Sequence, residues 1–305
     1  MPLPAGQPRR YRRAYVEISN ICNLKCDFCP TVDRQNAVMD LIQFEKIARD
    51  VQPFVDEICL HLMGEPLGHP DFAGFVDVCA RIALPVSVTT NGTLITGARR
   101  EALLHPIVRQ VNVSVQSYEA NFGDKDPKAY LSRVFAFTRE ALEKRPDLYI
   151  NYRLWDLDDP AAKSDRNGRV RTAIEAEFGV SFDAFKVDVR RRKGHNLVGR
   201  LSVHFDSRFT WPSPTLPVRS TEGFCHGLSS HFGVHADGTL VPCCLDKEAA
   251  VSLGNCHDRP VAELLESPKA VAIRDGFARG ELVDDLCQRC PFISRFDGKA
   301  RRLAQ

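Results

Sequence analysis

Three cysteines near the start of the chain have a spacing that suits metal binding. Cys22, Cys26 and Cys29 follow the pattern CxxxCxxC in the sequence CNLKCDFC, directly after a short apolar segment. Structural zinc needs four closed ligands, and the next cysteine, Cys59, falls inside a predicted strand. An iron–sulfur cluster held by three thiolates, with one iron left open for another ligand, fits this set better.

A second group of cysteines surrounds a predicted hairpin in the last third of the chain. Cys225 precedes the hairpin, the pair Cys243 and Cys244 follows it, and Cys287 and Cys290 form a CQRC pincer beyond two predicted helices. Zinc held by four thiolates is an alternative to an iron–sulfur cluster here, because the spacing alone fits both.

Composition indicates an ordinary globular protein with reduced thiols. The 305 residues are 44% hydrophobic and 26% charged, and the formal net charge of +2 gives no nucleic-acid footprint. Eleven cysteines, an odd number, in a sequence without a signal peptide argue against a disulfide framework. No segment has the length of a membrane helix, so we expect a cytoplasmic protein. Cys59 and Cys79 are predicted to be small core residues, and Cys256 a bystander.

The first half of the chain alternates predicted strands with predicted helices, which indicates a parallel sheet. The strands are predicted at Ala14–Ser19, Glu57–Met63, Pro85–Thr90, Val111–Ser117 and Leu148–Trp155, and the helices at Leu41–Val51, Phe72–Ile82, Tyr130–Glu143 and Val170–Phe178. Apolar and polar residues alternate in strand after strand, whereas a doubly wound sheet would show continuous apolar runs. This pattern predicts a barrel, or part of one, with a polar interior.

The second half carries weaker signals. A further strand is predicted at Phe182–Val189, and the Pro-rich stretch at Trp211–Pro217 reads as a linker. A hairpin then turns at Asp237 and Gly238, and two helices start near Asp258 and Ser267, the latter ending near Gly280. We therefore predict a core over 1–200, a linker or lid over 201–222, a small domain over 223–292 and a basic tail over 293–305.

The cysteine triplet and four further segments resemble the radical S-adenosylmethionine (radical SAM) enzymes. CNLKCDFC resembles the family signature, and MGEP at Met63–Pro66, TTNG at Thr89–Gly92 and VSVQS at Val113–Ser117 resemble later segments in the same order. The resemblance implies a partial (β/α)6 barrel and an open iron chelated by S-adenosylmethionine. It also implies that the cofactor is bound by Phe28, Gly64, Glu65, Asn91, Ser114 and Gln116. Arg153 is predicted to pair with the cofactor carboxylate, with Arg133 as the competing candidate.

The C-terminal pattern GFC, DGTLVPCC, LGN and CQRC resembles the SPASM/twitch extension of these enzymes. Because no cysteine follows Cys290, the resemblance implies the shorter twitch form, a hairpin plus helices with one auxiliary 4Fe-4S cluster. Cys225, Cys243, Cys287 and Cys290 are its predicted ligands, with Cys244 as the alternative to Cys243.

The resemblance implies a mechanism in which reductive cleavage of S-adenosylmethionine yields a 5'-deoxyadenosyl radical that takes a hydrogen atom from substrate. An auxiliary cluster that accepts an electron favours net oxidation, as dehydrogenation of a small molecule or as oxidation or cross-linking of a peptide. Flavodoxin or ferredoxin is the expected electron donor. Two alternatives stay open: redox-neutral radical chemistry, such as epimerisation or RNA modification, and a zinc-binding interaction protein without enzymatic activity.

Two further polar residues are candidates on weaker grounds. Asp246 follows the CysCys pair and could accept a proton, although capping of the hairpin is the favoured role. His61 points inward from the second strand and is expected to line the cavity.

Overall fold

A computed structural model describes residues 10–157, 166–185 and 193–296. The strands within these ranges are β1 (Tyr11–Val16), β2 (Val55–Cys59), β3 (Val86–Thr90), β4 (Val108–Val113), β5 (Tyr149–Leu157), β6 (Gly194–Val198), β7 (Leu201–Ser207), β8 (His231–Val234) and β9 (Leu240–Val241). The helices are α1 (Leu41–Val51), α2 (Phe72–Arg81), α3 (Gly97–Leu103), α4 (Ser117–Phe122), α5 (Lys128–Lys144), α6 (Gly168–Phe178), α7 (Val261–Leu265), α8 (Pro268–Arg279) and α9 (Asp285–Gln288).

All described strands belong to one sheet with the order β6-β7-β5-β4-β3-β2-β1-β8-β9. The six strands from β7 to β1 are parallel, as is the pair β1 and β8. The strands β6 and β9 run antiparallel to their neighbours at the two edges. The predicted α/β partial barrel is confirmed, with a hairpin added at its β1 edge.

The covering helices form where the periodicity predicts them. The helix α1 has the predicted bounds, because Asp40 caps its first turn by accepting a hydrogen bond from Gln43 N at 2.8 Å. Phe44 and Ile47 on its inner face are completely buried. None of the described helices has the length and hydrophobicity of a membrane span.

The strands separate an apolar outer face from a polar inner face, as predicted. On β5, Ile150, Tyr152 and Leu154 are fully buried against the helices, and the Tyr152 hydroxyl bonds Thr138 on α5. Asn151, which alternates with them, lines the interior cavity. The alternation in the sequence is therefore the signature of a sheet with a polar inner face.

The sixth parallel strand is β7, and the prediction for this region is wrong. Phe182–Ala184 forms a short 3-10 helix rather than a strand, and residues 186–189 lie outside the described part of the chain. Leu201–Ser207 falls inside the predicted linker, yet it pairs with β5 and alternates buried with half-buried residues. The alternation of buried and half-buried residues in β7 is short, and the neighbouring strand β6 is polar. The sequence pattern alone therefore does not indicate a strand here. A linker can therefore begin only after Ser207.

The C-terminal hairpin extends the barrel sheet, and the helices α7 and α8 follow it. His235 N donates to Thr239 O at 2.9 Å across the predicted turn, where Gly238 has a φ of 84°. Ser267 caps α8, and Gly280 ends it in the left-handed conformation. Phe232 on β8 is fully buried, so this unit shares the hydrophobic core of the barrel.

Replacing Phe232 with Ala tests this shared core. The ring contacts Tyr11, with the two ring centres 5.1 Å apart, so its loss should lower the free energy of unfolding by about 3–5 kcal/mol. Val198→Ala is the control, since Val198 is 44% exposed at a sheet edge and should change stability by about 0.5 kcal/mol or less. Urea unfolding measures both, and a separate transition of the C-terminal unit in the wild type would contradict the shared core.

Candidate functional site

A cavity of about 620 Å³ lies on the inner face of the sheet, and both cysteine groups line it. The residues that share this property are Cys22, Cys26 and Cys29 from the first group and Cys225, Cys243, Cys244, Cys287 and Cys290 from the second. A volume of this size suits a small ligand or part of a larger one. The two cysteine groups therefore form one site rather than two separate ones.

The first three cysteines lie on the loop that leaves the carboxyl end of β1. Leu24 N donates to Cys22 Sγ at 3.4 Å, and Asn121 Nδ2 donates to Cys26 Sγ at 3.0 Å. A hydrogen bond from the Cys29 thiol, together with the one from Asn121, lowers the pKa of Cys26. Because the thiolate is the metal-binding form of cysteine, these donors suit a metal ligand.

Asn121, on α4, is a site residue that the sequence analysis does not identify. Its Oδ1 accepts a hydrogen bond from Lys25 N at 2.7 Å, so its amide binds both the backbone and a thiol of the cysteine loop. A second link joins Asn91 Nδ2 to Asn23 Oδ1 at 2.8 Å. Asn121 is 95 residues away from Cys26 and belongs to none of the quoted motifs, so no local signal reveals it.

The arrangement of thiols bears on the kind of metal centre that fits. Among the described residues, no three Cys, His, Asp or Glu side chains converge closely enough to share one metal ion. A four-iron cluster does not require such convergence, since each thiolate binds a different iron. The first three cysteines fit a cluster with one iron free of protein ligands.

An ion pair fastens the cysteine loop to the end of β7. Both terminal nitrogens of Arg208 donate to the Asp27 carboxylate, at 3.0 and 3.1 Å. The guanidinium carbon also lies 5.6 Å from the centre of the Phe28 ring, a distance that allows a cation–π contact. Phe28 and Arg208 both line the cavity, so Arg208 contacts a ring that is predicted to bind the cofactor.

The MGEP segment packs its backbone directly against the loop that follows β1. Gly64 has a φ of +74°, and an added Cβ would stand 2.3 Å from Ser19 O, so only glycine fits. Glu65 is 2% exposed. Its carboxylate accepts hydrogen bonds from Thr90 Oγ1 at 2.7 Å and from Asn91 N at 2.6 Å. Burial raises the pKa of Glu65 to about 7 despite these donors.

The third and fourth strands contribute the other predicted cofactor residues. Asn91, Ser114 and Gln116 line the cavity just beyond the ends of β3 and β4. Tyr130 donates its hydroxyl to Asn91 O at 2.9 Å. Gln116 is 5% exposed, and its Oε1 is buried without a hydrogen-bond partner. An unsatisfied buried amide beside a cavity marks a position where a ligand can bind.

The two arginines proposed for the cofactor carboxylate have different surroundings. Arg153 lines the cavity, lies 3.4 Å above the Trp155 ring and has a buried Nε without a partner. Burial lowers the pKa of Arg153 to about 10, so its guanidinium stays charged at neutral pH. Arg133 is exposed on α5 and does not line the cavity. A buried, unpaired guanidinium is the more suitable partner for an anion.

The C-terminal cysteines lie around the amino end of β8. Cys225 is close to Cys290, and Cys243 and Cys287 are electrostatic neighbours of Cys225 and of each other. Burial raises the pKa of Cys225 to about 11, so a metal is needed to hold it as a thiolate. The four predicted ligands are therefore brought together.

Cys244 has a different environment from that of Cys243. Its thiol has Arg153 and Arg13 as electrostatic neighbours and lies near the Tyr15 side chain. Burial raises its pKa to about 11. This placement favours Cys243 as the cluster ligand and leaves Cys244 as a thiol that lines the cavity. Cys59 lines the cavity as well.

The two weaker polar candidates also have different surroundings. The Asp246 carboxylate accepts hydrogen bonds from Ala250 N at 2.9 Å and Val251 N at 2.8 Å. These contacts fit the capping role rather than proton transfer. His61 lines the cavity, its Nδ1 is buried without a partner, and burial lowers its pKa to about 3.

Comparison with known proteins agrees with the geometry. The family model for the radical SAM superfamily matches residues 16–154, and that for an iron-sulfur cluster-binding domain, SPASM, matches residues 225–291. A probable GTP 3',8-cyclase of Methanocella arvoryzae is 37% identical over 36% of this chain and 36% of its own length. The PqqA peptide cyclase of Methylorubrum populi is 27% identical over 41% of this chain and 34% of its own. The chain thus spans about a third of the length of these relatives.

Solved structures share the fold over nearly the whole chain. BtrN in complex with AdoMet and 2-DOIA has a TM-score of 0.60 at 15% identity, covering 93% of this chain and 94% of BtrN. Streptococcus suis SuiB bound to the precursor peptide SuiA also has a TM-score of 0.60 at 15% identity, covering 92% of this chain and 71% of SuiB. These likenesses support the partial barrel.

Gly64→Ala should destabilise the protein and displace Glu65. The side chain would collide with backbone atoms, so the loss of unfolding free energy should exceed the about 1–2 kcal/mol of a left-handed conformation alone. Gly68→Ala is the matched control in the same segment, since its added Cβ meets nothing within 4 Å. Thermal and urea unfolding compare the two, and equal stability would contradict the close approach.

Proposed function

Since the chain belongs to the radical SAM superfamily and carries a SPASM-type iron–sulfur domain, we propose that it is a radical SAM oxidoreductase. It binds a 4Fe-4S cluster with S-adenosylmethionine and one auxiliary 4Fe-4S cluster. The observation that carries the proposal is the single cavity lined by both cysteine groups. A substrate in this cavity can lose a hydrogen atom near one group and an electron to the other.

The residues of the cavity suit the cofactors. Cys22, Cys26 and Cys29 would hold the first cluster. When bound, this cluster and S-adenosylmethionine supply reductive cleavage of the sulfonium and hydrogen-atom abstraction from substrate. Glu65 would accept a hydrogen bond from the cofactor amino group, and Arg153 would pair with its carboxylate.

The remaining predicted contacts position the nucleoside. Phe28 provides an aromatic face that Arg208 supports, and Ser114 and Gln116 provide polar groups at the cavity wall. The unsatisfied Oε1 of Gln116 suits a hydroxyl donor such as a ribose.

The auxiliary site suits electron transfer. Cys225, Cys243, Cys287 and Cys290 would close all four irons of one cluster, which leaves none open for substrate. A fully ligated cluster can still accept an electron. Net oxidation of the substrate follows, with flavodoxin or ferredoxin as the proposed donor to the first cluster.

The substrate that we favour is a peptide. The similarity to a peptide cyclase and to a structure with a bound precursor peptide supports this choice. Phe209, Trp211, Phe292 and Phe296 are half-exposed and line the cavity, so they could hold an apolar side chain. A small molecule remains the other candidate, because BtrN was solved with 2-DOIA.

One observation favours a redox-neutral reaction as the second candidate. Cys244 lines the cavity without joining the predicted ligand set, and a thiol can return a hydrogen atom to a substrate radical. The resulting thiyl radical would then take one electron from the auxiliary cluster and one proton from solvent. The product mass separates the two functions. Oxidation removes two hydrogens from the substrate, whereas a redox-neutral reaction leaves its mass unchanged.

Cysteine variants test the assignment of the two clusters. Anaerobically reconstituted wild type should bind about eight irons per chain, as expected for two four-iron clusters. Cys26→Ala should lose about half of this iron and release no 5'-deoxyadenosine under reducing conditions. Cys287→Ala should also lose about half but still cleave some cofactor while forming no product. Iron analysis and chromatography measure these outcomes.

The control for this experiment is Cys79→Ala, since Cys79 is buried on α2 away from the cavity. It should keep all of the iron. Release of 5'-deoxyadenosine by Cys26→Ala would show that the first assignment is wrong. A wild-type protein with zinc instead of iron would support the non-enzymatic alternative.

The acidity of Glu65 predicts a pH-dependent affinity for S-adenosylmethionine. The carboxylate is ionised above its pKa of about 7 and becomes protonated below it, where it no longer attracts the amino group. Affinity should therefore fall about tenfold between pH 8 and pH 6. In Glu65→Gln the affinity should be low at both pH values, and its remaining pH dependence gives the contribution of the cofactor itself. Equilibrium dialysis measures both, and equal pH profiles would contradict this role.

A further inference from the structure

The chain segments that follow the two cysteine groups are bonded to each other. We call residues 22–34 the amino-terminal cysteine loop and residues 243–248 the carboxyl-terminal cysteine loop. The Glu248 carboxylate accepts hydrogen bonds from Asp33 N at 3.0 Å and Arg34 N at 3.1 Å. One side chain thus holds two consecutive amides of the other loop.

Side chains of both loops continue this connection. Arg34 Nε donates to Lys247 O at 2.6 Å, and Lys247 Nζ donates to Thr31 O at 2.7 Å. The terminal nitrogen of Arg34 donates to both oxygens of Glu17, at 2.9 and 3.1 Å. Because these bonds run in both directions, neither loop can move without breaking several of them.

Glu17 joins this connection to the rest of the site. Its side chain is fully buried and pairs with that of Arg34, which is 11% exposed. The same carboxylate accepts hydrogen bonds from Met63 N at 3.0 Å and Ala236 N at 3.2 Å. Removal of Arg34 would leave a buried charge without its cation, which is costly.

We propose that Arg34 and Glu248 couple the two cysteine loops, so that filling the carboxyl-terminal cysteine site strengthens S-adenosylmethionine binding at the amino-terminal one. Arg34 and Glu248 are positioning residues, since neither lines the cavity. The inference rests on the proposed function, because it takes S-adenosylmethionine as the molecule bound at the first site.

The physical basis is the ordering of one loop by the other. A cluster bound through Cys243 fixes the start of the carboxyl-terminal cysteine loop, and Glu248 and Lys247 then hold residues 31–34. The entropy cost of ordering the amino-terminal cysteine loop is thereby met before the cofactor binds. By linkage, the cofactor must strengthen retention of the auxiliary cluster by the same factor.

A thermodynamic cycle tests the coupling. The dissociation constant of S-adenosylmethionine is measured by anaerobic equilibrium dialysis in wild type, Cys287→Ala, Arg34→Met and the double variant, all reconstituted with iron and sulfide. Cys287→Ala should weaken binding about fivefold or more in the wild-type background, and less than about twofold in the Arg34→Met background. An equal effect in both backgrounds, or no effect in the wild type, would overturn the proposal.

A control variant and a second variant distinguish loss of coupling from general destabilisation of the protein. Arg49→Met removes an exposed arginine that pairs with Glu45 on α1, and it should leave the full effect of Cys287→Ala. If Arg34→Met does not fold, Glu248→Gln replaces it, since Glu248 is 22% exposed and the change preserves its length. Glu248→Gln should reduce the coupling in the same direction.

Hydrogen exchange separates a failure of this proposal from a failure of the proposed function. The amides of residues 33 and 34 should exchange faster in Cys287→Ala than in wild type, whereas this difference should be smaller in the Glu248→Gln background, which weakens the bonds to those amides. If wild type binds no S-adenosylmethionine, the proposed function fails, and the exchange rates still decide whether the loops are coupled. An equal difference in both backgrounds would refute the coupling.

Discussion

The parallel pairing of β1 with β8 is the contact on which the rest of the arrangement depends. Ala14 lies opposite Phe232 and Val16 opposite Val234, so the C-terminal hairpin becomes part of the barrel sheet. The amino-terminal cysteine loop leaves the carboxyl end of β1, and Cys225 precedes the amino end of β8. One strand pair thus separates the two groups of thiols and also fixes their relative position, as the proposed electron transfer would require.

The sheet can have a polar inner face because the polar side chains on that face form hydrogen bonds with one another. Gln110 donates to Asn112 at 2.8 Å, and Asn151 donates to the same amide oxygen at 3.0 Å, so a chain of amides links β4 to β5. Two of the exceptions are informative. The buried Nε of Arg153 and Oε1 of Gln116 have no partner, and an unsatisfied buried polar group costs stability. Both lie where the cofactor is proposed to bind, so the cofactor would supply the missing partners.

The sequence predicts what local patterns encode. Cysteine spacing identifies both cysteine groups that line the cavity, and periodicity gives the bounds of Leu41–Val51 and the inward face of β5. It does not predict contacts between distant residues. Arg208 is 181 residues from Asp27, and Asn121 belongs to none of the quoted motifs. The contacts of Arg208 with Asp27 and of Asn121 with Cys26 form only in the folded chain, where parallel strands bring their carboxyl ends to one edge of the sheet. Strand β7 is not predicted for a similar reason. Its pairing with β5 identifies it as a strand, whereas the alternation of buried and half-buried residues along it is too short to do so.

The adjacent Cys243 and Cys244 show how packing bears on a choice that a motif leaves open. The motif presents two adjacent thiols, and its spacing suits either. In the fold, Cys225 and Cys287 are electrostatic neighbours of Cys243, whereas the Cys244 thiol lies near Arg153, Arg13 and Tyr15. Both thiols line the cavity, so the pair forms part of its wall beside the predicted auxiliary ligands. Since a cluster bound to Cys243 would lie one residue from a thiol that faces substrate, the same two residues would connect electron acceptance with the reacting molecule.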